Sequence, residues 1–131
     1  MHRILVADVP ELDARLALVL QGYDLAFVRT MREAERRLSA GDFELLVIGL
    51  NFDDSRMFDL LRHVRTAARN AAVPIICVRG VSQRASAISS ESLKIACNAL
   101  NASAFIDFSD YPSVPAADTA LRQAAEGLLK S

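Results

Sequence analysis

The chain alternates short apolar runs with amphipathic helical patterns, and this alternation constrains its fold more than any other feature. Apolar runs without polar alternation are typical of strands that are buried on both faces. Such runs occupy residues 4–7, 24–28, 43–50, 75–78 and 104–108, and each precedes a segment with helical spacing. A right-handed helical crossover is what returns a chain between parallel strands. The order therefore predicts an α/β fold: a doubly wound, five-stranded parallel sheet with helices on both faces.

Local signals predict where several helices begin and which face they bury. Thr30 and Glu33 have the spacing of a capping box at the start of the second helix. Ser89 or Ser90 is expected to cap the fourth helix, and the last helix is expected over residues 116–129. The helix after the third strand has one apolar face, made by Met57, Leu60, Leu61 and Val64.

Composition limits the class of protein. With 131 residues and a net charge of -1, the chain is expected to form a single domain over residues 1–131. A dedicated binder of nucleic acid or of anionic membranes would need an excess of basic residues. The N-terminal segment is too short and too soon charged to be a signal peptide or a membrane span, so a cytoplasmic location is expected. Cys77 and Cys97 fall in apolar patterns and are predicted to be buried, reduced thiols.

The carboxyl ends of the strands are where a parallel sheet of this kind places its ligands and chemistry. The first strand ends at Asp8 and Val9, the third at Gly49, the fourth at Arg79 and Gly80, and the fifth at Asp107 and Phe108. This layout resembles the receiver domain of two-component response regulators over nearly the whole chain. The segments that carry the resemblance are ILVAD (residues 4–8), FELLVIGLNFDDSRMFDLLRHVR (43–65), PIICVRG (74–80) and NASAFIDF (101–108).

The resemblance implies a phosphorelay site in which most of the expected residues are replaced. Receivers accept a phosphoryl group on an aspartate after the third strand. An acidic pair after the first strand holds Mg²⁺, a hydroxyl residue follows the fourth strand, and a lysine follows the fifth. By position, Gly49 stands at the acceptor and Asp8 with Val9 at the acidic pair, while Arg79 replaces the hydroxyl residue and Phe108 the lysine.

These replacements predict that the phosphoryl-transfer chemistry is lost. Mg²⁺ prefers several oxygen ligands, and Asp8 is at most one of them, so Mg²⁺ binding is expected to be weak or absent and no cofactor is expected. The chain's two lysines, Lys94 and Lys130, lie at other positions. One hypothesis is that Arg79 pairs with Asp8 and so replaces the charge of the metal.

Two further carboxylates follow the third strand. Asp53 and Asp54 are candidates for atypical phosphorylation, but their position favours capping of a helix that starts near Ser55 or Arg56. Asp107 is expected to face solvent or a neighbouring arginine. His63 is interpreted as a solvated surface residue. The sequence contains no catalytic constellation, so an enzyme is not predicted.

The interpretation is a pseudo-receiver that acts as a phosphorylation-independent interaction or adaptor module in signal transduction. Its partner would be a histidine kinase, a regulator, an effector or a second copy of the chain. Binding would use the face of the fourth helix, fifth strand and fifth helix, where the candidate residues are Arg84, Ser89, Ser90, Phe105 and Asp107. Two alternatives stay open: a phosphorelay receiver phosphorylated on Asp53 or Asp54, and a small-ligand sensor that uses the strand-end crevice.

Overall fold

The sheet has the predicted parallel topology. A computed structural model describes residues 2–67, 70–80 and 88–130 of the chain. Its strands are β1 (Arg3–Ala7), β2 (Asp24–Val28), β3 (Leu45–Gly49), β4 (Ile75–Arg79) and β5 (Ala104–Asp107). Every pairing is parallel, and the strand order is β2-β1-β3-β4-β5. The doubly wound α/β prediction is confirmed.

Helices connect consecutive strands and cover both faces of the sheet. They are α1 (Asp13–Val19), α2 (Met31–Ala40), α3 (Met57–Thr66), α4 (Ser90–Ala99) and α5 (Val114–Leu129). A 3-10 turn, Pro10–Leu12, precedes α1, and a single irregular turn, Phe52–Ser55, precedes α3. Helix α5 begins two residues before the predicted boundary. The Ser113 side chain accepts a hydrogen bond from the Ala116 amide, and Pro115 sits in the first turn, where no N–H is required.

The predicted caps of α2 and α4 are present. The Thr30 hydroxyl accepts from the Glu33 amide at 3.2 Å, and the Thr30 amide donates to the Glu33 carboxylate at 3.2 Å. Both halves of the capping box therefore exist. Of the two serines proposed for α4, Ser89 is the cap, because its hydroxyl accepts from the Ser92 amide at 3.1 Å.

Two hydrophobic layers fill the space on either side of the sheet. One layer packs β-strand side chains against α2, α3 and α4, and the other packs them against α1 and α5. Strand β3 is buried along its whole length because it contributes to both layers, which explains its continuous apolar run. The predicted inner face of α3 is confirmed: Met57, Leu60, Leu61 and Val64 are fully buried. Cys77 and Cys97 are buried and free, also as predicted.

Among the described residues, no helix combines the length and the apolar character needed to span a bilayer.

Candidate functional site

The carboxyl edge of the sheet brings the predicted site residues together. Asp8 follows β1, Gly49 ends β3, Arg79 ends β4 and Asp107 ends β5. Asp8, Arg79 and Asp107 are each at most 6% exposed, and they are three of the few polar side chains in the described part of the interior. Buried charges of this kind need partners close by, so their hydrogen bonds show which groups of the site are paired with each other.

The carboxyl group of Asp8 lies directly over the backbone of Gly49. A Cβ placed on Gly49 would stand 2.0 Å from the Asp8 Cγ and from both carboxylate oxygens. Real Cβ atoms do not approach other atoms so closely, so residue 49 has no room for a side chain while Asp8 keeps this position. Asp8 is held there in part by the Val9 amide, which donates to its Oδ1 at 2.8 Å.

A cation also lies at the end of β1: Arg29, which follows β2. Its guanidinium donates to the Asp8 backbone carbonyl at 2.9 Å and forms an ion pair with Asp13. Its amide donates to the Glu33 carboxylate at 2.7 Å. The sequence analysis missed this residue. The adjacency of β2 to β1 was the only signal that could have pointed to it, because parallel strand ends meet at one edge.

Arg79 pairs with Asp107, so the predicted pairing with Asp8 is wrong. The Arg79 Nε and one terminal nitrogen contact Asp107 Oδ2 at 2.8 and 2.5 Å. The other terminal nitrogen donates to the Ile88 carbonyl at 2.7 Å. The strand order explains the difference. Residues 79 and 107 are register partners on adjacent strands, whereas β3 separates β4 from β1.

The environment of Asp107 keeps its carboxylate ionised. Burial by itself would raise the pKa of Asp107, but the hydrogen bonds from Arg79 and Ser109 outweigh it and lower that pKa. Ser109 contributes its amide at 2.9 Å and its hydroxyl at 2.6 Å, both to Oδ1. The expectation of a neighbouring arginine is therefore confirmed. The prediction that Asp107 belongs to an exposed partner surface is wrong, because its side chain has no exposed area.

The expected role of Asp53 and Asp54 is also wrong. The residue before α3 is Arg56, and no side chain caps that helix. Asp53 instead accepts a hydrogen bond at 2.8 Å from the amide of Met31, the first residue of α2. Asp53 and Asp54 have φ values of 44° and 58°, in the left-handed region. The Asp53 carboxylate also lies 3.9 Å from the Arg56 guanidinium, and Asp54 is exposed.

Apolar packing surrounds the position at which the resemblance expects a lysine. Phe108 is 5% exposed and belongs to the layer formed with α1 and α5. Nearby, Leu12 closes on Gly80, where an added Cβ would lie 2.9 Å from the Leu12 Cδ2. The searched part of the chain contains no cluster of three or more histidine, cysteine or acidic side chains that could hold a metal ion.

Several solved structures have a similar fold. No family model matches the chain. Among solved structures, a chain described as a response regulator from Chloroflexus aurantiacus superposes with a TM-score of 0.80 at 18% identity, covering 99% of this chain and 98% of that one. The signal receiver domain of a histidine kinase from Syntrophus aciditrophicus gives 0.77 at 22% identity, with 99% and 91% covered. The chemotaxis response regulator CheY4 of Vibrio cholerae gives 0.72 at 20%, with 95% and 98% covered. The chain has the receiver fold.

A curated sequence relative matches part of the chain. The swarming motility regulation protein RssB of Serratia marcescens is 35% identical over 81 residues. That match covers 60% of this chain and 37% of the relative, so the chain spans little more than a third of that protein. The resemblance to receivers that the sequence motifs indicated is thus confirmed at the level of the fold.

The receiver fold places α4 and β5 side by side at one edge of the sheet. A surface cavity between them is lined by side chains that include Glu91, Lys94, Ile95 and Phe105. Ile95 is 61% exposed. Of the predicted partner residues, Ser89 is exposed and Ser90 and Phe105 are partly buried, whereas Arg84 lies outside the described residues.

Proposed function

We propose that this chain is a receiver-type signalling module that has lost its phospho-accepting aspartate and acts by binding a protein partner. It would work without Mg²⁺ or any other cofactor, would not be an enzyme, and would act in the cytoplasm. A histidine kinase, another regulator, an effector or a second copy of the chain would be the partner.

The observation that carries this proposal is the contact between Asp8 and Gly49. In a phosphorylated receiver, the acceptor side chain starts at the end of the third strand and the acidic pair stands beside it. Here the Asp8 carboxyl group lies where a Cβ at position 49 would begin. The same space cannot hold both groups. This overlap supports the proposal, because Gly49 has no acceptor side chain and one would fit there only if Asp8 moved.

The charges around Asp8 support a metal-free site. Mg²⁺ in proteins is held by carboxylates and other oxygens in near-octahedral geometry. The second acidic position is Val9, and the Arg29 guanidinium already donates to the Asp8 carbonyl. Positive charge beside the end of β1, although it is paired with Asp13, disfavours the approach of a divalent ion.

The pair of Arg79 and Asp107 supports a constitutive rather than a switched binding surface. Arg79 links β4 to β5 through Asp107 and reaches the carbonyl of Ile88, two residues before α4. Buried charge pairs with full hydrogen bonding are costly to break. These contacts tie the start of α4 to the ends of β4 and β5 without a phosphoryl group, and the exposed Ile95 and Ile88 lie on the proposed binding surface.

A titration with Mg²⁺ and beryllofluoride, a mimic of the phosphoryl group, tests the proposal. We expect the amide resonances of Asp8, Gly49 and Arg79 to stay unchanged in ¹H–¹⁵N spectra. A saturable shift would contradict the loss of the acceptor site. If a response appears and is abolished in Asp53→Asn/Asp54→Asn, the alternative of atypical phosphorylation replaces our proposal.

A matched pair of surface variants tests the binding face. Ile95 on α4 and Leu18 on α1 are 61% and 59% exposed, so each accepts an aspartate without loss of core packing. We expect Ile95→Asp to abolish capture of a specific protein from source cells, and Leu18→Asp to leave that capture intact. Equal capture by both variants would place the binding surface elsewhere.

The small-ligand alternative has weaker support. A ligand in the strand-end crevice would have to contact Asp8, Arg79 or Asp107, yet each is at most 6% exposed, and Arg79 and Asp107 are hydrogen-bonded to each other. They leave little surface with which a ligand could be recognised.

A further inference from the structure

Helix α2 has an exposed, basic outer face. Its buried residues, Ala34 and Leu38, belong to the layer that packs on one side of the sheet. A helix has about 3.6 residues per turn, so Arg36, two positions from each of them, lies on the opposite side. Arg32 lies one turn before Arg36 on that side, and Arg37 follows Arg36. All three arginines are exposed; together they form what we call the α2 arginine face.

These three arginines differ from the others that the structure describes. Within residues 2–67, 70–80 and 88–130, every other arginine side chain forms an ion pair or donates a hydrogen bond. The side chains of Arg32, Arg36 and Arg37 do neither with any residue in those ranges. Since the fold does not use their charges, these charges are available to another molecule.

The two carboxylates of α2 are directed away from this face. Glu33 accepts hydrogen bonds from the amides of Arg29 and Thr30, at the start of the helix. Glu35 lies 4.0 Å from the ring of His63, on α3. Within the described structure, neither glutamate forms an ion pair with an arginine of α2. The α2 arginine face therefore keeps its positive charge.

We propose that the α2 arginine face docks an acidic helix of a protein partner, in which glutamate or aspartate residues stand four positions apart. Arg32 and Arg36 have the same spacing, at which like charges on one helix repel each other. Carboxylates at this spacing on the partner would meet both guanidinium groups and relieve that repulsion. Each guanidinium can hold a carboxylate through two parallel N–H···O bonds, and Arg37 extends the positive surface beside them.

The composition of the face favours a protein over a nucleic acid or a membrane. A nucleic-acid binder neutralises many phosphates, whereas this face offers three positive charges on a chain of net charge -1. A helix that lies on a bilayer inserts apolar side chains. In the described part of the chain, the large apolar side chains that are exposed are Leu18, Ile88 and Ile95, none of them on α2. Binding through charge alone should be sensitive to salt.

This surface is separate from the surface of α4 and β5 proposed above. Helix α2 follows β2, which is one edge strand of the sheet, whereas α4 contacts β5, the other edge strand. A module with both surfaces could hold two partners at once. The docking of an acidic helix on α2 does not depend on what α4 binds.

A peptide titration tests the α2 arginine face. The probes are two alanine-based helical peptides, one with glutamates four positions apart and one with glutamines in their place. We expect the glutamate peptide to cause saturable shifts of the amide resonances of Arg32, Arg36 and Arg37 in ¹H–¹⁵N spectra at low ionic strength. The shifts should disappear near about 1 M salt, where the Debye length is about 3 Å. An equal response to the glutamine peptide, or shifts confined to other helices, would overturn the proposal.

Charge reversal provides a matched control. Arg32→Glu/Arg36→Glu should weaken binding of the glutamate peptide about tenfold or more, because each change turns an attraction into a repulsion. This variant should instead bind a third peptide that has lysines in place of the glutamates. Arg62→Glu/Lys130→Glu changes the net charge equally at two other exposed positions and should reduce binding much less. Equal losses in the two variants would mean that net charge alone drives binding, contrary to the proposal.

Two further measurements separate this surface from other possibilities. Ile95→Asp, which tests the surface of α4 and β5, should bind the glutamate peptide as wild type does; loss of binding there would place the peptide on α4 and overturn the assignment to α2. A DNA duplex and vesicles of anionic phospholipid test the other partner classes. Tighter binding of either one to the α2 arginine face than of the glutamate peptide would show that an acidic helix is the wrong partner.

Discussion

The Asp8 carboxyl group and the Gly49 backbone occupy adjoining space at the ends of β1 and β3, with 2.0 Å between that group and the place where a Cβ of residue 49 would stand. The two residues therefore depend on each other. Asp8 can lie inward only because position 49 has no side chain, and a side chain could return to position 49 only if Asp8 moved.

Gly49→Ala should destabilise the protein. The added methyl group would overlap the Asp8 carboxyl group, and overpacking of a buried site costs about 1–3 kcal/mol. The free energy of unfolding in urea measures the loss. In Asp8→Ala/Gly49→Ala the overlap is gone, so the second substitution should cost clearly less than it does alone. Strictly additive effects would contradict the contact.

Gly127→Ala is the matched control. Gly127 lies inside α5, is exposed, and an added Cβ would meet nothing within 4 Å. Alanine is favoured over glycine inside a helix by about 0.5–1 kcal/mol. This variant should be as stable as wild type or slightly more stable, in contrast to Gly49→Ala.

Arg79→Ala should be among the most destabilising single changes at the strand ends. The side chain of Arg79 is 7% exposed and that of Asp107 is fully buried. Removal of one partner leaves an uncompensated buried charge, at a cost of about 3–5 kcal/mol. Arg62→Ala is the control: its pair with Asp59 is exposed on both sides, so the loss there should stay under about 1 kcal/mol. Similar losses in a urea titration would contradict the difference in burial.

Acid should destabilise the protein through Asp107. Its pKa in the folded state is lowered, below an unfolded value of about 3.9. Its contribution to stability is therefore complete above the unfolded pKa and is lost as the pH falls through the folded pKa. Ser109→Ala removes one hydroxyl donor to the carboxylate, which raises the folded pKa towards the unfolded value, so the acid-dependent loss should be smaller and should be complete at a higher pH. Unfolding free energies from pH 7 down to pH 2, on wild type and variant, measure this; identical acid profiles would contradict it.

Asp53→Ala should loosen the first turn of α2. The substitution removes the acceptor of the Met31 amide, and loss of a side-chain cap costs about 0.5–2 kcal/mol. Hydrogen exchange at the Met31 amide should become faster. Asp54→Ala is the matched control, because Asp54 is exposed and shares the left-handed backbone of Asp53, so both variants carry a similar backbone cost and only Asp53→Ala also loses the contact with Met31. Equal effects of both variants would contradict the specific contact.

Local chemistry allowed much of the fold to be predicted from the sequence. The apolar face of α3 repeats at helical spacing, and the capping box of Thr30 and Glu33 spans three residues, so both depend on neighbours along the chain. The continuous apolar run around β3 reflects burial on both faces of a sheet. Such signals survive in the sequence because the interacting groups are close together in it.

The strand-end site could be predicted from the sequence only in part. Sequence position identified Asp8, Gly49, Arg79 and Phe108 as residues of this edge, since strand ends can be read from apolar runs. It did not identify their partners. Arg79 was expected to pair with Asp8 but contacts Asp107, 28 residues away along the chain. The pairing of β4 with β5 decides which of these side chains are neighbours.

The sequence by itself determined the order of strands and helices, their inner faces and the absence of a side chain at position 49. The tertiary structure decided which group occupies the space at position 49 and which arginine pairs with which carboxylate. It also decided that Asp53 caps α2 instead of α3. The physical reason is the separation along the sequence over which each kind of interaction acts. Helical spacing and capping act over three or four residues, whereas the contacts of a buried charge are set by strand order and by turns that bring distant residues together.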